Sequence, residues 1–289
     1  MKQKLMLIDA SPIFYKAFFA VPPLTSKNGI PTNAVYGFMS TLIKILKTYK
    51  PTHLVVCFDN KSDYRKKLYS EYKADREQMK SDLKVQIPIL KEMVKTMGIP
   101  IAELVGYEAD DLIGMLSKWG ESKGADVLII SPDKDMAQLV NENIKILSLG
   151  KQKIPDRILG PDEIKVQFEL DPKYIVDLLA LSGDLSDGIP GVKGVGEKTA
   201  IKLIKEFGHV EQIFENIDKV KGSLKDKLKD GKDVCLMSKQ LATIITEMKL
   251  PYQSLFDVER GMMQFETIKS KMDALNILTL KDRLSGLED

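Results

Sequence analysis

Three apolar runs in this chain each stop at an acidic residue. Leu5-Met6-Leu7-Ile8 is followed by Asp9, Leu54-Val55-Val56-Cys57-Phe58 by Asp59, and Val127-Leu128-Ile129-Ile130 by Ser131-Pro132-Asp133-Lys134-Asp135. Runs this short and this uniformly apolar read as strands buried on both faces. Between them stand helical periodicities: Val35, Phe38, Met39, Leu42 and Leu46; then Leu83, Ile87, Leu90, Val94 and Met97; then Ala109, Leu112, Ile113 and Leu116. The alternation predicts an α/β fold over residues 1–160, a mainly parallel twisted sheet flanked by helices, and residues 161–289 read as all-helical. In an open parallel sheet the ligand site lies outside the carboxyl ends of the strands, so the acids that end these runs are delivered to one edge.

More acids join them. The GYEADDL segment contributes Glu108, Asp110 and Asp111 at a predicted helix start, where the helix dipole favours negative charge, and Asp184 and Asp187 stand three apart further on. Singly, each is an ordinary turn former or helix cap. Together, nine carboxylates at one edge repel strongly, and no matching run of arginines lies beside them in the sequence. Divalent cations resolve the repulsion. Oxygen donors without His or Cys suit hard ions, Mg²⁺ or Mn²⁺, and this many acids suits two ions, the arrangement that cleaves phosphodiesters by in-line displacement. The formal net charge is +2, so setting the nine acids aside leaves +11 on the rest of the chain, a surplus suited to a polyanion.

The stretch GDLSDGIPGVKGVGEKTA, residues 183–200, comes close to a phosphate-binding loop through Gly191, Gly196, Lys198 and Thr199. Glu197 puts the lysine out of phase, and no apolar strand precedes the loop, so ATP binding is disfavoured. Gly191, Lys193, Gly194, Gly196, Lys198, Thr199 and Lys202 instead fit a helix-hairpin-helix over about 183–207, in which glycines let backbone N–H groups approach a DNA phosphate and lysines follow the backbone. A plain glycine-rich turn between two packed helices remains the alternative.

The segment NKSDYRKKLYSEYKADREQMKSD after Asp59 has no apolar stripe wide enough to bury and reads as mobile. Its cations, Arg65 among them, fit a solvated helix face, while Tyr69, Tyr72, Lys73 and Arg76 interleave aromatic rings with cations as single-stranded nucleic acid binding requires. Two cysteines make no disulfide framework, and no apolar run approaches a membrane span, so neither a signal peptide nor an anchor is expected and a reducing cytoplasm fits. His53 and His209 lack metal-ligand spacing.

The order LIDAS, PTNAVYGF, PTHLVVCFD, YKADR, GYEADDLIG, SPDKDMAQLV and LSGDLSDGIPGVKGVGEKTA resembles the bacterial 5′–3′ exonuclease and flap endonuclease family, including the N-terminal domain of bacterial DNA polymerase I, from about Leu5 to Lys249. The resemblance implies a PIN-like 5′ nuclease fold with a helical arch at about 60–85 and a helix-three-turn-helix in the C-terminal region. It implies two Mg²⁺ or Mn²⁺ ions, with Asp9, Asp59, Glu108, Asp110, Asp111 and Asp133 as the set that holds the first or supports its ligands from behind, and Asp135, Asp184 and Asp187 around the second. It implies arch roles for Tyr72, Lys73 and Arg76, a further basic position at Arg65, and a K⁺ ion at the hairpin. DNA with 5′ flaps, nicks, gaps or free 5′ ends, including RNA primer–DNA, is the implied partner, and a monomer is expected. Gly188 departs from the asparagine usual in the family. No proofreading or polymerase domain follows within the 289 residues, so a free-standing version is expected. On the residues alone, a non-catalytic helix-hairpin-helix DNA-binding protein and a PIN-type ribonuclease stay open. The first would not need nine acids, and the second ordinarily lacks the hairpin.

Overall fold

The computed structural model describes residues 3–60, 63–150, 154–247 and 250–287. Six strands form one sheet: β1 (Lys4–Asp9), β2 (His53–Cys57), β3 (Ile101–Ala102), β4 (Asp126–Ile130), β5 (Ile144–Ser148) and β6 (Arg157–Leu159). Their order is β3-β2-β1-β4-β5-β6, with every pair parallel except β5–β6. The three apolar runs of the sequence are the central strands, which explains their uniform hydrophobicity: both faces are covered. β3, β5 and β6 carry weaker patterns and are not among the expected strands.

Alternation along β1 sends Leu5 and Leu7 to one face and Met6 and Ile8 to the other. The first face packs on the helix Ala109–Ser122 through Leu112, Ile113 and Leu116. The second packs on the helices Asn33–Tyr49 and Gln86–Thr96 through Phe38, Leu42, Leu46, Leu90 and Val94. Burial of each such side chain contributes about 1.5–3 kcal/mol.

A third core holds the helical region together: Leu178 and Leu181 from the helix Ile175–Ser182 meet Ala200, Leu203 and Ile204 from the helix Glu197–Phe207, with Leu228 and Cys235. The last helices, Phe265–Ala274 and Thr279–Leu284, return to the α/β unit, where Ile268, Met272, Leu280 and Leu284 are buried with Leu42 and Leu46. No described helix is long and apolar enough to cross a membrane.

Strand order places the site. The chain runs from β1 to β2 on one side of β1 and later to β4 on the other, so the crossovers diverge at the carboxyl end of β1 and open a crevice there. Ile8 pairs with Ile130 and Asp9 with Cys57, which brings Asp9, Asp59 and Ser131 to that crevice together.

Candidate active site

Asp9 ends β1 and is 5% exposed, its Oδ2 accepting from Ser131 Oγ at 2.8 Å. Burial, and after it the charge of Asp59, raise its carboxyl well above the ordinary carboxylate range despite that hydrogen bond. Asp59 Oδ1 caps the neighbouring helix by accepting from Ala109 N at 2.9 Å. Asp110, in the first turn of that helix, is pushed up to about 7 by burial and then by Asp111, against the pull of Arg65. Asp133 accepts from Asp135 N at 3.0 Å. Asp135 is also pushed up to about 7, by burial and then by Asp133, Asp184 and Asp187, and its Oδ1 is buried without a hydrogen-bond partner.

These interactions link the acids into two neighbouring groups, Asp9 with Asp59, Asp110 and Asp133, and Asp135 with Asp133, Asp184 and Asp187. Other acids are already matched by cations. Asp184 Oδ2 lies 2.8 Å from Lys134 Nζ, and Ser186 donates to Oδ1 through N and Oγ at 2.8 and 2.7 Å. Burial works to raise Asp184, but Lys134 and Ser186 outweigh it and hold the carboxyl low. Glu108 Oε2 accepts from Lys73 Nζ at 2.8 Å, Tyr72 Oη at 3.0 Å and Arg65 at 3.3 Å. Asp187 is held by Arg76 through Oδ1 and by Lys73, 3.5 Å from Oδ2.

No run of arginines lies beside these acids in the sequence, but the fold brings cations to several of them. Arg65, Lys73 and Arg76 come from the charged segment after Asp59 and Lys134 from the SPDKD loop, all distant in sequence from the acids they neutralise, Lys134 apart from its two neighbours. As the side chains stand, no three Asp, Glu, His or Cys residues among those described converge in a geometry that holds a metal ion. The donor set still suits a hard cation: every donor is a carboxylate oxygen, Asp9 is buried and Asp110 and Asp135 half-buried with too little positive charge, and one buried oxygen has no partner.

Three expected roles are narrowed or changed by this geometry. Asp111 is 0% exposed, and both of its oxygens are taken: Arg65 bonds it twice, at 2.8 and 2.7 Å, and Ile245 N donates to Oδ1 at 2.9 Å. It is a clasp for the arginine here, which fits the supporting position of the expected set and not that of a ligand. Arg65, expected at DNA, is 1% exposed and also donates to the carbonyls of Leu241 and Thr243, tying the segment to the helical region. Tyr72, expected to stack on bases, is 2% exposed in the core with its hydroxyl on Glu108.

The segment expected to be mobile consists, among its described residues, of a helix Asp63–Leu68, turns, and a short helix Ser81–Lys84 whose Leu83 is buried; residues 61 and 62 of the expected arch lie outside the described residues. It docks on the acid loop by backbone. Lys73, in the left-handed region at φ 53°, donates its N–H to Asp187 O at 2.9 Å. Gly188 has φ +67°, and a Cβ there would lie 2.7 Å from Glu71 O, so glycine suits both the turn and the close approach.

At the hairpin, the helix Ile175–Ser182 rather than a strand precedes the glycines, which removes the phosphate-loop reading. Gly191 (φ +61°) and Gly194 (φ +79°) make the turn, and Gly196 is the N-cap of the helix Glu197–Phe207. Lys193, Lys198 and Lys202 are exposed and Thr199 half-buried, while Gly191 N donates to Ser238 Oγ at 3.1 Å. Lys134 and Ser131 are site residues not expected from the sequence, although both flank the acids of their own loop there.

A parallel sheet with carboxylates gathered beyond its central strands, joined to a glycine hairpin edged with lysines, is the plan of a nuclease that works on a nucleic acid backbone. The chain belongs to the 5′–3′ exonuclease family: residues 4–169 match its N-terminal resolvase-like domain and residues 170–265 its C-terminal SAM fold. A 5′–3′ exonuclease of Aquifex aeolicus is 39% identical over 98% of this chain and 92% of its own length. DNA polymerase I of Bacillus subtilis is 41% identical over 98% of this chain, which spans only 32% of that protein. Among solved structures, the T5 5′-exonuclease with zinc ions bound covers 98% of both chains at 23% identity and a TM-score of 0.69. The bacteriophage T5 flap endonuclease in a pseudo-enzyme–product complex with DNA and metal ions aligns over 99% of this chain and all of its own, also at 23% identity, with a TM-score of 0.66.

Proposed function

We propose that this nuclease hydrolyses phosphodiesters near the junction of single and double strand in DNA with 5′ flaps, nicks, gaps or free 5′ ends, acting as exonuclease and flap endonuclease. The observation that carries this reading is the meeting of two carboxylate groups at Asp133 on the carboxyl edge of the sheet, where Asp9, Asp110 and Asp135 repel their acidic neighbours. Asp9, Asp59, Asp110 and Asp133 would hold one Mg²⁺ or Mn²⁺ ion, and Asp135, Asp184 and Asp187 a second. Bound there, the ions supply a water of lowered pKa and charge stabilisation for the phosphoryl transition state.

The chain's own residues do the rest. Lys73 and Arg76 stand over Glu108 and Asp187, where their charges can turn to the phosphate that enters between them and steady its oxygens. Tyr72 and Arg65 act beneath the surface: the hydroxyl orients Glu108, and the guanidinium fixes the segment to the helical region. Gly191, Gly194 and Gly196 bring backbone to the duplex, and Lys193, Lys198 and Lys202 hold its phosphates without reading sequence. A K⁺ ion at the hairpin, work as a monomer in the bacterial cytoplasm, and removal of RNA primers and 5′ flaps belong to the same reading. Two T5 relatives of this fold carry metal ions, one of them with DNA, which supports it.

The test is a 5′-labelled flap incubated with the protein and Mg²⁺, with and without chelator, beside Asp184→Asn. Cleavage that needs the ion and the aspartate is expected. An intact flap under every condition refutes the assignment.

A further inference from the structure

The helix Ser223–Asp230 reaches the hairpin from a part of the chain that the glycine pattern does not include. Its Leu228 is 0% exposed, packed in the same core as Val192 and Val195 of the hairpin. Just beyond, Gly231 closes on the same turn: a Cβ there would lie 2.8 Å from Val192 Cγ1. With Leu228 as anchor, the preceding residue is aimed over Gly194. A Cβ built on Gly194 would lie 3.1 Å from Lys227 Nζ and 3.3 Å from its Cε.

The other lysines of this helix face elsewhere. Lys225 pairs with Asp218 at 2.8 Å, and the charge of Lys229 acts on the same aspartate, as expected for positions one turn apart. Lys227 is exposed and has no acidic partner among the described residues. The backbone N–H of Gly194 beside it, and that of Gly196 two residues on, have no intramolecular acceptor among the described residues, and no side chain caps the helix that begins at Glu197. An ammonium next to open amide donors is a cradle for an anionic oxygen.

We infer that Lys227 is a DNA-phosphate contact that completes the hairpin from a second helix, an inference that rests on the DNA-directed reading above. The hairpin is then two-sided, with Lys193 and Lys198 on the turn and helix that carry the glycines and Lys227 opposite them. A lysine used this way acts as a point charge, adding affinity and salt dependence but no sequence preference.

The test uses the full chain and a fluorescent 5′-flap duplex, with anisotropy measured in EDTA across a salt series. Lys227→Ala is expected to raise Kd about five- to tenfold and to flatten the slope of log K against log salt by about 0.9, the share of one phosphate contact. Lys227→Arg stays within about twofold of wild type and Lys229→Ala matches it. With Mg²⁺ and saturating flap, kcat of Lys227→Ala is unchanged and KM rises. Wild-type Kd and slope in Lys227→Ala, beside a wild-type protein that binds and cuts, overturn this inference alone and leave Lys227 as a cover for Gly194. A wild-type protein that neither binds nor cuts the flap overturns this inference and the proposed function together.

Discussion

At the carboxyl edge of the sheet, Asp9 is buried and Asp110 and Asp135 half-buried with too little positive charge around them, whereas at the hairpin Lys193, Lys198 and Lys227 are exposed cations in water. The edge holds free energy in reserve: its acids repel until something cationic arrives, and Arg65, Lys73, Arg76 and Lys134 relieve only some of them. The hairpin holds none, because its lysines and open amides are solvated until a polyanion displaces the water. On the proposed function one region reacts and the other grips, so substitutions at the two should separate activity, stability and affinity.

The largest separation is expected at Asp9. Asp9→Asn removes an ion ligand and a repelling charge at once, so flap cleavage should fall about 10⁴-fold or more, equivalent to ~5.5 kcal/mol of barrier, while the melting temperature in chelator rises. Undiminished cleavage would remove the carboxyl edge from the chemistry. Next comes Arg65→Met, which leaves Asp111 buried and unpaired; urea unfolding should report a loss of about 3–5 kcal/mol, and a neutral result would mean the clasp is dispensable.

A pH series in chelator sharpens the contrast further. The unfolded chain releases the Asp110 and Asp135 protons near the ordinary value of 3.8, but the folded protein keeps them up to about 7. The folded state therefore binds more protons between those values, so stability of the ion-free protein should fall as pH rises from 3.8 to about 7 and level off above it. Added Mg²⁺ should restore what is lost at the alkaline end, and a flat thermal profile would show that these acids are not the reserve. At the hairpin, Lys198→Ala should weaken flap binding by about 1 kcal/mol and flatten the salt slope by about 0.9 while leaving the melting temperature alone. The smallest effect is expected from Tyr72→Phe, which removes only the hydroxyl on Glu108 and should cost about 1 kcal/mol or less in thermal unfolding.

The central strands and the acids that end them were legible because burial on both faces imposes an uninterrupted apolar run and because strand ends share an edge. The hairpin was legible from its glycines, since the positive φ angles at Gly191 and Gly194 demand that residue. What escaped is what depends on long-range pairing. Nothing near Arg65 in the sequence announces Asp111, 46 positions away, or the carbonyl of Leu241, 176 away, so the arginine read as a solvent-facing cation. Tyr72 looked like a stacking ring for the same reason, and Lys227 lay outside the motif that defines the module it completes. The edge strands β3 and β6, of two and three residues, are too short to show a period.

The hydrogen bond from Lys73 N–H to Asp187 O, with Gly188 pressed under Glu71, fastens the base of the charged segment to one of the carboxylates it overhangs. If DNA enters beneath the segment, as the proposed function requires, any shift of the segment would pull on that acid, so admission of the strand and alignment of the acid would be coupled, as a latch that also draws the bolt.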